Sequence, residues 1–248
     1  MEIFNSSIHR TEELLGSLSV RKWAYDPTQC WKDLGSNELV MQREAAFELG
    51  GSGNPSVSFD AFTTDEKLVG EDAVWLFGAD LNELKGDCAF ARIVLFGIQD
   101  VGEEDEAYRA LQDIEFVKYH VYPKGYMARA LSEACREQVR VSKTALQEGI
   151  SFRKVGFDYI RKYKENKNVR AVRVIFVTDP QADYRELFDL AKKVSGISQS
   201  LCTILDGIPT DCDSCGLREI CDEVDGMREL HFQQAGKKQN GKEGSNHA

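Results

Sequence analysis

Four cysteines fall within twenty residues of one another: Cys202, Cys212, Cys215 and Cys221. Cys212-Asp213-Ser214-Cys215 is a C-x2-C pair, and Cys221 follows after five further residues. Only deprotonated sulfur ligates a metal, and close cysteine spacing lets backbone turns aim several thiolates at one centre. Gly216, directly after Cys215, supplies the residue that turns most tightly. Short, close cysteine spacing of this kind is a usual ligation pattern of an iron–sulfur cluster. A structural zinc site of four thiolates uses the same donors. A redox-active dithiol fits less well, because Asp211 and Asp213 beside the pair raise the thiol pKa and oppose thiolate formation. The expected metal ligands are Cys202, Cys212, Cys215 and Cys221. His231, separated from Cys221 by nine residues, competes with Cys202 for the fourth place.

The other three of the seven cysteines, Cys30, Cys88 and Cys135, stand alone and read as small buried hydrophobes. Clustered thiols with an odd total do not make a secreted disulfide scaffold. A net charge of −10 lacks the basic stripe that neutralises phosphates, so no nucleic-acid partner is expected. No apolar run approaches the roughly 20 residues of a membrane span, and the first residues carry no signal-peptide pattern. The expectation is a cytoplasmic protein with no membrane association.

The elements that must position the cysteines alternate between the two periodicities. TEELLGSLSVRKW (11–23) reads as helical. VSFDAF (57–62) and AVWLFGADL (73–81) alternate as strands do, and ARIVLFGI (91–98) reads as a buried strand. Residues 103–122 suit a helix broken by Pro123-Lys124-Gly125, and EQVRVSK (137–143) is strand-like. A helical stretch over 144–167 carries an interruption near Gly149. VRAVRVIFVTD (169–179) is the strongest strand, stopped by Pro180, and an amphipathic helix over 181–196 is closed by Gly196. Strands alternating with helices predict an α/β or α+β fold, a layered mixed sheet with flanking helices and a carboxy-terminal cysteine-rich metal-binding segment. Along the chain this gives a helical and loop extension over 1–42, an α/β domain over 43–200, the cysteine-rich segment over 201–235 and a disordered tail over 236–248.

Four segments carry a resemblance. REAAFELGG (43–51), VWLFGADLNEL (74–84), VRVSKTALQEGISFRKVG (139–156) and VRAVRVIFVTDPQ (169–181) come in the order and spacing of the β subunit of the CO dehydrogenase/acetyl-CoA synthase complex. The chain resembles that family over roughly Arg43 to Cys221. The resemblance implies a 4Fe–4S cluster which, in that family, is joined to two nickel ions and condenses a methyl group, CO and coenzyme A. It also implies a protein partner in a CO dehydrogenase/acetyl-CoA-synthase-like or other redox system. The family's cluster cysteines run C-x2-C-x8-C-x9-C. Cys212 and Cys215 match the first two, Cys221 comes three residues early, and His231 stands at the fourth place. The Cys-Gly-Cys that chelates the second nickel and the amino-terminal docking domain have no counterpart in the sequence, and Gln138 stands where a Trp commonly precedes the Val-Arg-Val-Ser-Lys strand. The resemblance therefore implies an iron–sulfur protein with an accessory, electron-transfer or metal-handling role in anaerobic one-carbon and acetyl-CoA metabolism. Its alternatives are a CO-methylating acetyl-CoA synthase (acyltransferase) subunit completed by a partner, and a zinc-stapled interaction protein without catalysis.

Other features have plainer readings. The run Gly50-Gly51-Ser52-Gly53 lacks the lysine and spacing of a phosphate loop and reads as a plain loop. Arg136, Arg140 and Lys143 suit either coenzyme A phosphates or a solvated strand face. His120 lies between Tyr119 and Tyr122 with no paired carboxylate in the sequence around it.

Overall fold

The two most apolar runs in the chain lie side by side at the middle of one sheet. β5 (Phe90–Ile98) and β8 (Val169–Val177) pair antiparallel, with Ile93 opposite Ile175 and Val94 opposite Val174. All of β5 is buried, as is all of β8 except Arg170. Strands covered on both faces lose the apolar/polar alternation and read as continuous hydrophobic runs. The computed structural model that gives this architecture describes residues 2–51, 53–99, 104–130, 135–206 and 220, with the backbone alone at 104–108 and 202–206.

Around this pair the sheet grows in both directions. β4 (Ala73–Phe77) runs parallel to β8, and β1 (Val20–Ala24) closes that edge antiparallel to β4. On the other side β3 (Ser56–Thr63) runs parallel to β5, giving the order β1-β4-β8-β5-β3. A second, antiparallel sheet has β7 (Glu137–Ser142) between β2 (Ala45–Leu49) and β6 (Tyr126–Ala130).

Helices layer the five-stranded sheet. α4 (Phe152–Tyr163) starts at Ser151, whose hydroxyl accepts the Lys154 N–H, and lies on the face that carries Val74 and Phe176. Phe152 packs at 4.6 Å from Phe176 and 5.9 Å from Phe90, and Tyr163 meets Phe96 edge-on at 4.7 Å. α1 (Asn5–Leu15) lies on the opposite face. There Arg173, alternating with Val174, donates to Glu12 at 2.9 Å and stacks 4.1 Å from the Trp75 ring. α5 (Tyr184–Asp206) packs along β3 and against α1 and α2 (Glu104–Val117). The short α3 (Lys143–Gln147) is capped by Ser142. The fold is thus a mixed α/β arrangement, a layered mixed sheet with flanking helices. Among the described residues no helix is long and apolar enough to cross a membrane.

Three local readings change. The helix expected over 11–23 ends at Leu15, and Val20–Ala24 is an edge strand instead. Gly16 and Ser17 end the helix, and Trp23, a good strand former, then pairs with Val74. Tyr126–Ala130, unassigned from sequence, becomes β6 after Gly125 turns the chain at φ 69°. Gly196 does not close its helix, since α5 continues to Asp206.

Gly156 lets α4 approach the sheet. A Cβ there would lie 2.5 Å from Val74 Cγ2 and 3.1 Å from Phe176. Gly156→Ala is expected to lose about 1–3 kcal/mol of unfolding free energy in urea titration, the usual cost of overpacking a filled core. Gly86→Ala, with open space around its Cβ, is expected to stay within about 0.5 kcal/mol of the parent.

Candidate metal centre

Helix α5 carries Cys202 near its carboxy-terminal end. Cys212, Cys215, Cys221 and His231 lie outside the described residues, as does the Cys202 side chain. One contact links their stretch of sequence to the fold. A Cβ on Gly196 would lie 2.7 Å from Ile220 Cγ1 and 2.8 Å from its Cδ1, so the bare helix surface at Gly196 seats the Ile220 side chain. Ile220 also joins the hydrophobic core as a partly buried member. Cys221 follows Ile220 directly in the chain, and Cys202 lies six residues, about 9 Å of helix, beyond Gly196. The glycine expected to stop the helix is therefore a packing seat within it.

The remaining thiols are less buried than the isolated spacing predicts. Cys30, Cys88 and Cys135 are free, half-buried and packed against the core. Burial raises the pKa of all three, that of Cys88 to about 11, so each is a neutral thiol at pH 7. The Cys135 thiol donates to the Ala191 carbonyl at 3.3 Å, and its backbone takes the left-handed conformation at φ 64°. Among the described residues no three His, Cys, Asp or Glu side chains come together to hold a metal ion.

The other features noted in the sequence have structural employment. A Cβ on Gly50 would strike Ser56 Cβ at 2.5 Å and the Glu137 carbonyl at 2.8 Å, so this glycine lets the two sheets meet. Gly51 is hemmed in by the side chains of Gln138 and Glu48. Arg140 donates from Nε to Glu48 at 2.5 Å, and Lys143 Nζ donates to the Arg43 carbonyl at 3.1 Å. The exposed His120 ring places Nδ1 3.2 Å from the Phe116 carbonyl and packs beside the Phe116 ring.

A buried ionic network escaped the sequence reading. Arg92 on β5 is the largest fully buried side chain among the described residues, and it donates from Nε and Nη2 to the Glu137 carboxylate at 3.0 and 2.5 Å. Its Nη2 also meets Ser58 Oγ at 3.2 Å, and its guanidinium stacks 5.0 Å from the Tyr159 ring. Asp60 on β3 accepts from Lys118 Nζ at 2.9 Å. Nearby, burial, with the charge of Asp60 adding to it, raises the pKa of Glu115, which accepts from the Ser198 hydroxyl at 2.8 Å. The available signal was a single charge inside each apolar strand, Arg92 in ARIVLFGI and Asp60 in VSFDAF. A charge so placed must find a partner in the core.

Comparison with protein-family models and with curated proteins finds no match for this chain.

Two expectations follow from these buried charges. Arg92→Leu leaves the buried Glu137 side chain without its partner and is expected to cost about 3–5 kcal/mol by urea unfolding. The double variant Arg92→Leu/Glu137→Leu should recover a substantial part of that loss, and equal losses in single and double variants would contradict the pairing. The second concerns Asp158 on α4, whose side chain is fully buried and ion-paired with Arg161. Burial is the main influence and raises its pKa from 3.8 to about 6. Such a carboxyl stabilises the folded chain fully below pH 3.8, and the contribution is lost as pH rises through about 6. Asp158→Asn should flatten that part of a stability-versus-pH curve.

Proposed function

We propose that this chain is an iron–sulfur protein that carries a 4Fe–4S cluster on Cys202, Cys212, Cys215 and Cys221. Its role is accessory, in electron transfer or metal handling for anaerobic one-carbon and acetyl-CoA metabolism. The observation that carries the reading is the Ile220 side chain seated on Gly196. It holds the residue next to Cys221 against the helix that bears Cys202, as ligands widely spaced in sequence require. Four soft sulfur donors suit iron–sulfur clusters and zinc and not hard oxygen-seeking cations. A bound cluster supplies one-electron redox chemistry at a potential tuned by burial and by hydrogen bonds to its sulfurs. The polypeptide's own part is to carry Cys202 on α5, while Cys30, Cys88 and Cys135 stay apart as half-buried thiols of the fold.

The acetyl-CoA synthase-like reading rests on four stretches of sequence. The segments 43–51 and 139–156 contribute neighbouring strands, Phe47 opposite Val141, and the segments 74–84 and 169–181 contribute β4 and β8, Leu76 opposite Phe176. A protein partner of the CO dehydrogenase or another redox system accords with an accessory role.

Anaerobic purification with metal and sulfide analysis tests the proposal. About four iron and four sulfide per chain are expected. One zinc with no sulfide overturns the cluster in favour of a structural zinc staple. Cys202→Ala is expected to lose cluster where His231→Ala keeps it, and the reverse result moves the fourth ligand to His231.

A further inference from the structure

The ionic network forms an ordered chain of alternating charge across three layers: Lys118, Asp60, Arg92 and Glu137. Its outer links are direct, at 2.9 Å between Lys118 Nζ and Asp60 Oδ2 and 2.5 Å between Arg92 Nη2 and Glu137 Oε2. The middle link is different. Arg92 Nη1 and Asp60 Oδ1 stand 4.0 Å apart, within attraction of opposite charges but beyond hydrogen-bond length. Neither atom has a hydrogen-bond partner among the described residues, although the two side chains are only 2% and 1% exposed. The buried hydroxyls of Tyr126 and Tyr163 also lack partners, and both phenols feel the charge of Arg92.

We propose that the gap between Arg92 Nη1 and Asp60 Oδ1 is a binding site for one internal water molecule, which closes the four-charge chain. The two unpartnered atoms define the chemistry of the occupant. A guanidinium N–H needs an acceptor and a carboxylate oxygen needs a donor. An anion would face the Asp60 oxygen, and a cation would face the Arg92 nitrogen. Only a small neutral species that both donates and accepts serves the pair. One oxygen about 2.8 Å from each atom spans 4.0 Å with an angle near 90° at that oxygen, within reach of ordinary hydrogen-bond geometry. Buried waters characteristically satisfy polar groups of this kind and make about three hydrogen bonds each. The Tyr126 and Tyr163 hydroxyls are the candidates for the third.

The surroundings make the site a permanent one. Tyr159, stacked on Arg92, and Tyr163, at 0% exposure, close it from α4. Lys118 and Glu115 stand on the side of α2, and Glu137 and Tyr126 on the side of the second sheet. A water held there exchanges only when these layers part.

A high-resolution crystal structure of the full chain tests the site directly. The expected result is one fully occupied oxygen within about 3.2 Å of both Arg92 Nη1 and Asp60 Oδ1. A direct Arg92–Asp60 hydrogen bond with no density between the two side chains overturns the proposal. Oxygen-17 relaxation dispersion in solution gives an independent count of long-lived waters. Asp60→Glu adds one methylene, enough to reach Arg92 and displace the water, so this variant should lose one long-lived water per chain. An unchanged count in a folded Asp60→Glu variant that makes the direct contact counts against the site.

Discussion

A guanidinium in the middle of a packed sheet face must be answered by a carboxylate, and Arg92 is answered by Glu137. Arg92 sits on β5 of the first sheet, and Glu137 opens β7, the central strand of the second. The ion pair fixes how the two sheets meet because its cost is asymmetric. A buried pair is only weakly favourable against two well-packed apolar residues, but either charge alone is strongly unfavourable. Any displacement of β7 that parts the carboxylate from Arg92 leaves both charges in the core. The pair thus selects one arrangement of the layers, a role for which hydrophobic packing, being non-directional, is poorly suited.

The backbone around Glu137 is tied to the same place. The Ser56 hydroxyl donates to the Glu137 carbonyl and accepts from its N–H, both at 2.9 Å, so one side chain of β3 holds both polar groups of one residue of β7. Gly50 permits the approach, and Gln138 continues the seam by donating to Glu48 at 2.6 Å and accepting from Arg129 at 2.5 Å. Arg140 holds the other oxygen of Glu48. Arg140, one of the candidates for phosphate recognition, is taken up by a bond within the sheet. That bond and those of Gln138 tie the strands together, and Arg140 is committed to Glu48 before any ligand arrives.

The legible part of the fold was the part governed by local periodicity. ARIVLFGI and VRAVRVIFVTD read as strands because burial on both faces gave continuous apolar runs, and both are central. The interruption at Gly149 was visible because Gly149 takes φ 83° and separates α3 from α4. What stayed hidden was set by tertiary partners. Val20–Ala24 becomes a strand only because β4 offers an edge, and Gly196 looked like a stop because sequence cannot show that Ile220 will fill its surface. Arg92 and Asp60 stood in plain view within apolar strands, but their partners Glu137 and Lys118 lie 45 and 58 residues away. The isolated cysteines, read as buried from their separation alone, are half-buried against the core.

The division of labour in the molecule follows from where its charges are satisfied. Several charged groups of the sheets, α4 and the seam around Arg92 are answered within the fold. Arg161 meets Asp158 and Asp33, Arg173 meets Glu12, and Arg21 is bidentate on Glu83. The soft donors lie elsewhere, in the stretch from Cys202 to Cys221, and Gly196 of α5 is where Ile220 of that stretch meets the core. A side chain at position 196 would lift Ile220 away while leaving the Arg92 seam untouched. The fold and its proposed chemistry are therefore joined through a glycine on one helix, and the residue that looked like a terminator is the one that couples them.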